Sequence, residues 1–128
     1  MVLDSYSRQM LYNAIDACDK VARDVAHFGS VEGVLSSYGG DEIISGHVRQ
    51  VGEAIYKLRD ASRQSYEELR TLVGPTVDLL RVIKLRNILT HHYYDINWDK
   101  LWRAATEWIP IYREAFAAAA LQQYPPGR

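Results

Sequence analysis

The residues best suited to chemistry lie together between positions 86 and 94, at the end of an otherwise apolar segment. If this segment is helical, its polar side chains form two lines about 100° apart on the helix surface. The first line contains Arg86, Thr90 and Tyr93, and the second contains Asn87, His91 and Tyr94. The spacing therefore predicts a polar corner at one end of an apolar helix.

An arginine and a histidine in this corner suit the cleavage of RNA without a metal. A ribose 2′-hydroxyl can attack its own neighbouring phosphate if a base, an acid and a positive charge are supplied. Histidine, with an ordinary pKa of about 6.5, can transfer protons near neutral pH. Arginine can bind two phosphate oxygens with its planar fork. One arginine and one histidine are few for this chemistry, but two chains related by a two-fold axis would supply a pair of each.

Other candidate sites have less support. Glu53 lies beside the apolar face of an earlier helix, where it could orient Arg86 or His91 or stay at a solvated edge. A carboxylate-bridged metal site in a helical bundle needs Glu-x-x-His on two helices. The four histidines do not supply it, and the nearest pattern is Asp24-x-x-His27. We therefore expect no metal and no cofactor. The three tryptophans near the C-terminus are expected in the core or at an interface, because a base-stacking site also needs basic neighbours.

The elements that must position these residues are predicted to be helices throughout. Apolar residues recur at intervals of three and four, which predicts long helices at residues 4–28 and 41–63, and a short one at 30–37 begun by Ser30. Pro75 should open a third long helix, buried centrally or packed on two partners. The last helix, from a cap at Asn97, should kink at Pro110, and the tail from about residue 121 should fray. The prediction is a single all-α domain over residues 1–128, an up-and-down bundle of four to five helices.

The composition argues against a broad phosphate-binding surface, against disulfides and against membrane association. The net charge is −1, so a broad phosphate-binding surface is not expected. Cys18 is the single cysteine and should be buried, which fits a cytoplasmic protein without disulfides. No stretch is apolar enough for a signal peptide or a membrane span, so no membrane association is expected.

The segment from Arg86 to Tyr93 resembles the Arg-x4-His-x-Tyr motif of the HepT-type HEPN ribonuclease toxins. Three further segments resemble the same family in the same order. They are Val51-Gly52-Glu53-Ala54, the Asp95-Ile96 pair followed by Leu101-Trp102, and Ile109-Pro110. The resemblance runs from about Leu11 to Phe116, and the ordered set is more specific than the motif alone.

This resemblance implies a homodimeric HEPN bundle whose paired motifs line a cleft between protomers. It implies a metal-independent endoribonuclease toxin with Arg86 and His91 as catalytic residues, and we expect Asn87, Glu53, Thr90 and His92 to support them. The implied partner is a minimal nucleotidyltransferase antitoxin, which uses ATP to attach AMP to Tyr93 and so silences the toxin. Tyr94 is a rival acceptor, and His92 doubles the motif histidine. The alternative is a catalytically silent HEPN subunit that binds nucleotide or serves as a scaffold for the nucleotidyltransferase.

Overall fold

A computed structural model describes residues 3–123, and within that range every regular element is a helix. In chain order these are α1 (Ser5–Phe28), α2 (Val31–Ser36), α3 (Gly40–Ala61), α4 (Arg63–Val73), α5 (Leu79–His91), a 3₁₀ turn (Tyr93–Asp95), α6 (Trp98–Arg103), a π-helical turn (Ala104–Trp108) and α7 (Ile109–Gln123). The prediction of an all-α bundle is confirmed.

Helix α3 lies at the centre of the bundle, because it packs against α1 on one side and α5 on the other. Helix α7 packs along α1. The core between these helices is formed by large side chains that are almost fully buried, including Leu11, Ile44, Ile55, Leu58, Leu79, Ile109 and Phe116. Burial of each such side chain contributes about 1.5–3 kcal/mol to folding, so this core fixes the place of α5 against α3.

Short polar side chains cap the helices where the sequence predicts it. Ser30 accepts the N–H of Gly33 at the start of α2, and Asn97 accepts the N–H of Lys100 at the start of α6. Asp4 accepts the N–H of Ser7, which begins α1. These bonds satisfy backbone donors that have no partner within the helix.

One predicted helix boundary was wrong, and one helix was not predicted. The second long helix ends at Ala61, and Ser62 caps a further helix, α4, that the apolar pattern had not separated. The third long helix begins at Leu79, with Asp78 as its cap, and Pro75 lies in the preceding turn. Gly74 adopts a φ of 78°, a conformation that an L-residue rarely adopts, and this ends α4 before the proline.

Helix α5 is not buried centrally within one chain. Its inner face, with Leu79, Val82 and Ile83, packs on α3, but Leu80 and Ile88 are 43% and 44% exposed. The apolar residues all round this helix predicted central burial or two packing partners, and within residues 3–123 its main packing partner is α3.

Pro110 does not end or interrupt the last helical segment. It follows the π turn, in which the N–H of Ile109 bonds to the carbonyl of Ala104, five residues back. A widened turn accommodates the proline ring, which clashes with the preceding turn of a regular α-helix. Helix α7 then continues to Gln123, whose side-chain oxygen accepts the N–H of Leu3. Residues 121–123 belong to this helix, and the predicted fraying of 124–128 falls outside the described residues.

Over residues 3–123, no helix combines the length and the apolar character needed to cross a membrane.

Candidate active site

Arg86 lies on α5 where it faces α3, and three contacts hold its guanidinium group. Its Nε donates to Glu53 Oε2 at 2.7 Å, and its Nη1 donates to Asn87 Oδ1 at 2.8 Å. Its Cζ lies 4.2 Å from the centre of the Tyr56 ring, a cation–π distance. Glu53 therefore bonds to Arg86, which was one of the roles that the sequence left open for this carboxylate. Tyr56 was not predicted.

A close approach of α3 and α5 makes this arrangement possible. Gly52 is buried on α3 directly before Glu53. A methyl group on Gly52 would collide with the carbonyl oxygen of Val82 and with Cβ of Arg86. Glycine therefore allows the backbones of α3 and α5 to approach so closely that the Glu53 side chain reaches Arg86.

The contacts of Arg86 leave part of its guanidinium group available to a ligand. The side chain is 17% exposed, and Glu53 is 24% exposed. Among residues 3–123, no hydrogen bond is made by Nη2, the second terminal nitrogen. An arginine held in this way presents fixed N–H donors to a phosphate and loses little rotamer entropy when it binds one.

His91 is the last residue of α5, and its side chain is exposed. It follows Arg86 by five residues, which is about 140° round an α-helix. Thr90 and His92, the residues on either side of it, are exposed as well. In the described part of the chain, the side chain of His91 makes no hydrogen bond to another residue. One chain therefore does not bring His91 onto the face where Arg86 is held.

Tyr93 and Tyr94 lie beyond the end of α5, so the alignment of the two tyrosines along the helix, which required the helix to continue that far, is not formed. Both belong to the 3₁₀ turn that follows His92. Tyr93 is half-buried, and its hydroxyl donates to Asp41 Oδ2 at 2.7 Å, at the first turn of α3. Burial, together with this bond to Asp41, raises the pKa of the Tyr93 phenol. Tyr94 is fully exposed at 99%.

Asp41 is the second residue of this region that the sequence did not single out. Its only signal was its place at the start of a predicted helix, and 52 residues separate it from Tyr93. The contact depends on how α3 and the 3₁₀ turn meet, which the spacing of residues within one helix does not contain.

The remaining titratable candidates do not join this site. Asp24, considered with His27 as a metal-ligand pair, instead contacts Nδ1 of His47 at 2.5 Å. Within residues 3–123, no group of three or more His, Cys, Asp or Glu side chains could hold a metal ion. Cys18 is buried as predicted, and burial raises the pKa of its thiol to about 12.

Comparison with known proteins gives a family match that includes the motif residues and Glu53. Neither curated proteins nor solved structures gave a match to the chain. The family model described as "Ribonuclease HepT-like" matches residues 42–119, which are more than half of the chain and contain Glu53, Arg86, His91 and Tyr93. The chain therefore belongs to the HepT-like ribonuclease family.

Proposed function

We propose that this protein is a metal-independent endoribonuclease in which Arg86 binds the scissile phosphate and His91 transfers protons. The observation that carries the proposal is the restraint of Arg86 by Glu53, Asn87 and Tyr56 on a chain of this ribonuclease family. An arginine used only for surface solvation needs no such set of contacts.

The reaction uses the ribose as its nucleophile. The 2′-oxygen attacks the adjacent phosphorus, the bond from phosphorus to the 5′-oxygen breaks, and the products carry a 2′,3′-cyclic phosphate and a 5′-hydroxyl. One histidine accepts the proton of the 2′-hydroxyl, and a second protonates the leaving oxygen. Arginine stabilises the charge that develops on the phosphoryl oxygens. Metal ions have no step in this scheme.

The scheme needs two chains. Each chain supplies one Arg86 and one His91, and these lie about 140° apart round α5. The exposed outer side of α5, with Leu80 and Ile88, is an apolar surface suited to a second copy. In such a homodimer, His91 of one chain would face a phosphate bound by the arginines of the pair.

We propose further that the protein is a toxin controlled in the cytoplasm by a nucleotidyltransferase that attaches AMP to Tyr93. In this transfer the Tyr93 oxygen bonds to the α-phosphorus of ATP, the bond to the β-phosphate oxygen breaks, and pyrophosphate leaves. The phenol proton passes to Asp41, which already accepts a hydrogen bond from it at 2.7 Å. The attached AMP places a phosphate and a nucleoside at the edge of the motif, where they would exclude RNA.

The first test is the loss of activity in Arg86→Ala and His91→Ala. Each change removes phosphate binding or proton transfer, and each should lower the rate of RNA cleavage by about 10² to 10⁴. Purified variants are assayed on RNA, with circular dichroism to check folding and a His91→Ala/His92→Ala double variant to detect substitution by His92.

Wild-type cleavage should persist in EDTA and should spare an all-deoxy substrate. Chelator-sensitive cleavage, or a fully active and folded double histidine variant, would contradict the mechanism.

The control step is tested by co-expression with the nucleotidyltransferase. Tyr93→Phe should escape modification and remain toxic, while Tyr94→Phe should be modified and silenced. Asp41→Asn keeps an acceptor for the phenol but removes the base, so it should slow AMP transfer by at least about tenfold. Mass spectrometry of the peptide that contains both tyrosines measures the outcome. Modification of Tyr93→Phe at the wild-type level would assign the acceptor to Tyr94.

The alternative, a silent HEPN subunit, makes the opposite prediction in the first test. The exposed position of His91, without a partner that orients its ring in the described part of one chain, is the observation in its favour. A silent subunit would leave RNA uncleaved while still binding the nucleotidyltransferase.

A further inference from the structure

A groove separates α5 from the C-terminal helices, and none of the residues that line it belongs to the motif of residues 86–93. Its volume is about 610 Å³, and it is lined by Arg81, Lys100, Arg103, Glu107, Trp108 and Ile111. Arg81 lies on α5, and the other five residues belong to α6, the π turn and α7. The groove therefore lies beside the helix that carries the catalytic motif.

The groove is positively charged although the whole chain carries a net charge of −1. Three of its lining residues are cations and one is a carboxylate. Glu107 pairs with Arg103 at 2.7 Å, but both side chains are more than half exposed, so this pair contributes little to stability and a competing anion can displace it. Over residues 3–123, no carboxylate pairs with Arg81 or Lys100. The groove thus offers cations to a ligand that carries negative charge.

The guanidinium group of Arg81 lies over the ring of Trp108. The Arg81 Cζ lies 4.5 Å from the centre of the half-buried Trp108 ring. A guanidinium group that is stacked on one face by tryptophan is restrained in its plane, and its other face can stack on a nucleobase. The sequence predicted no base-stacking role for the tryptophans because basic neighbours were missing. The fold brings Arg81 onto the Trp108 ring, and Lys100 and Arg103 line the same groove.

The groove lies close enough to the proposed reaction centre for a short RNA segment to contact both. Arg81 precedes His91 by ten residues on the same helix, which is about 15 Å along the helix axis. A strand cleaved at His91 can therefore place a neighbouring nucleotide in the groove.

We propose that this groove is a subsite for single-stranded RNA, which binds a nucleotide that flanks the cleaved bond. Arg81 stacks on its base, and Lys100 and Arg103 bind its phosphates. The proposal rests on the ribonuclease function proposed above and adds the place where the substrate is held. A nucleobase explains the stacked Arg81–Trp108 pair, whereas an acidic protein surface would need only the charges.

The test measures the binding of fluorescein-labelled all-deoxy and 2′-O-methyl oligonucleotides, which the enzyme cannot cleave. Arg81→Gln should weaken binding about tenfold, because the stacking contact with the base is lost. The Arg81→Gln/Lys100→Gln double variant should weaken it further and reduce the slope of log K against log salt by about 0.7 for each phosphate contact. Arg23→Gln removes one charge from the exposed side of α1, outside the groove, and serves as the matched control.

Binding and cleavage are scored separately, so the two proposals fail in different ways. If wild type binds the oligonucleotides but cleaves no RNA, the ribonuclease mechanism fails and the subsite does not. If Arg81→Gln and the double variant bind like Arg23→Gln, with the same salt slope, the subsite is wrong. Unchanged RNA binding with lost binding of the nucleotidyltransferase would make the groove a protein-docking surface and would also overturn the proposal.

Discussion

At the scale of single residues, the contacts of Arg86 combine a cost with a benefit. The carboxylate of Glu53 partly neutralises the arginine, which weakens its attraction for a phosphate. The same bond, with the Tyr56 ring, fixes the fork before the substrate arrives and lowers the entropy lost on binding. The second effect prevails if the remaining N–H donors lie where the transition-state charge develops, because preorganised donors gain most at that point.

The sequence identified Arg86, His91 and Glu53 as chemically capable residues, but it did not identify Tyr56 or Asp41. The first three stand out by type within apolar helices. The other two acquire their significance from contacts between helices, since Tyr56 meets Arg86 across 30 positions of the chain and Asp41 meets Tyr93 across 52. Such contacts depend on the register of packed helices, which periodicity along one helix does not specify.

Glu53→Gln tests whether orientation of Arg86 matters for catalysis. The amide is nearly the same size and can still accept a bond from Arg86, but it loses the charge-assisted part of the interaction. We expect the rate of RNA cleavage to fall about tenfold while the circular dichroism spectrum is unchanged. Glu67→Gln removes a carboxylate from an exposed ion pair with Arg70 and is the control. Equal activity in the two variants would show that Glu53 has no positioning role.

At the scale of elements, the close contact of α3 with α5 determines where the motif lies. Residues 40–61 were predicted nearly to the correct bounds because their apolar spacing is regular. The start of α5 was missed because Pro75 resembles a first helical residue, whereas Gly74 and the Asp78 cap decide the boundary. Helix α4 was missed although Tyr66, Leu69 and Val73 repeat at three and four residues. Its cap, Ser62, lies where the preceding helix was expected to continue.

Gly52→Ala should damage both stability and activity. The added methyl group meets the carbonyl of Val82 and Cβ of Arg86, so α5 must move away from α3. Overpacking of this kind costs about 1–3 kcal/mol, more than the roughly 1 kcal/mol that alanine gains over glycine in a helix. The shift would also carry Arg86 away from Glu53, and RNA cleavage should fall by at least about tenfold.

Gly46→Ala provides the matched control on the same helix. A methyl group there meets no atom within 4 Å, so only the gain in helix propensity remains. Thermal unfolding followed by circular dichroism should show Gly46→Ala at or above the wild-type midpoint and Gly52→Ala below it. A Gly52→Ala protein as stable and active as Gly46→Ala would show that the two helices need not approach so closely.

At the scale of the whole molecule, one chain leaves two features without a partner. The outer side of α5 exposes Leu80 and Ile88, and His91 lies at its end without a residue that orients it within the described chain. The composition predicted neither these exposed side chains nor the basic groove. A net charge of −1 does not indicate where the charged residues lie on the folded surface. The apolar pattern of α5 predicted central burial or two packing partners, and we expect the second partner to be another copy of the chain.

Dimer formation through the outer side of α5 is tested with Ile88→Glu. Wild type should scatter light as a particle of about twice the 14.6 kDa chain mass at micromolar concentration. A charge at Ile88 should dissociate it, because burying an unpaired carboxylate in an apolar contact costs several kcal/mol. Leu35→Glu places the same charge on an apolar residue of α2 that is 54% exposed, and it should leave the dimer intact.

Mixing of inactive chains then asks whether the dimer shares its active centre. Arg86→Ala and His91→Ala chains should regain part of the RNA cleavage when they are unfolded together and refolded. A mixed pair carries one intact arginine and one intact histidine, whereas each inactive homodimer lacks one of the two groups altogether. Recovery should need both variants and should be absent when Ile88→Glu is built into either chain. If Ile88→Glu is a folded, fully active monomer, the two-chain mechanism is wrong and a single chain must bring Arg86 and His91 to the same phosphate.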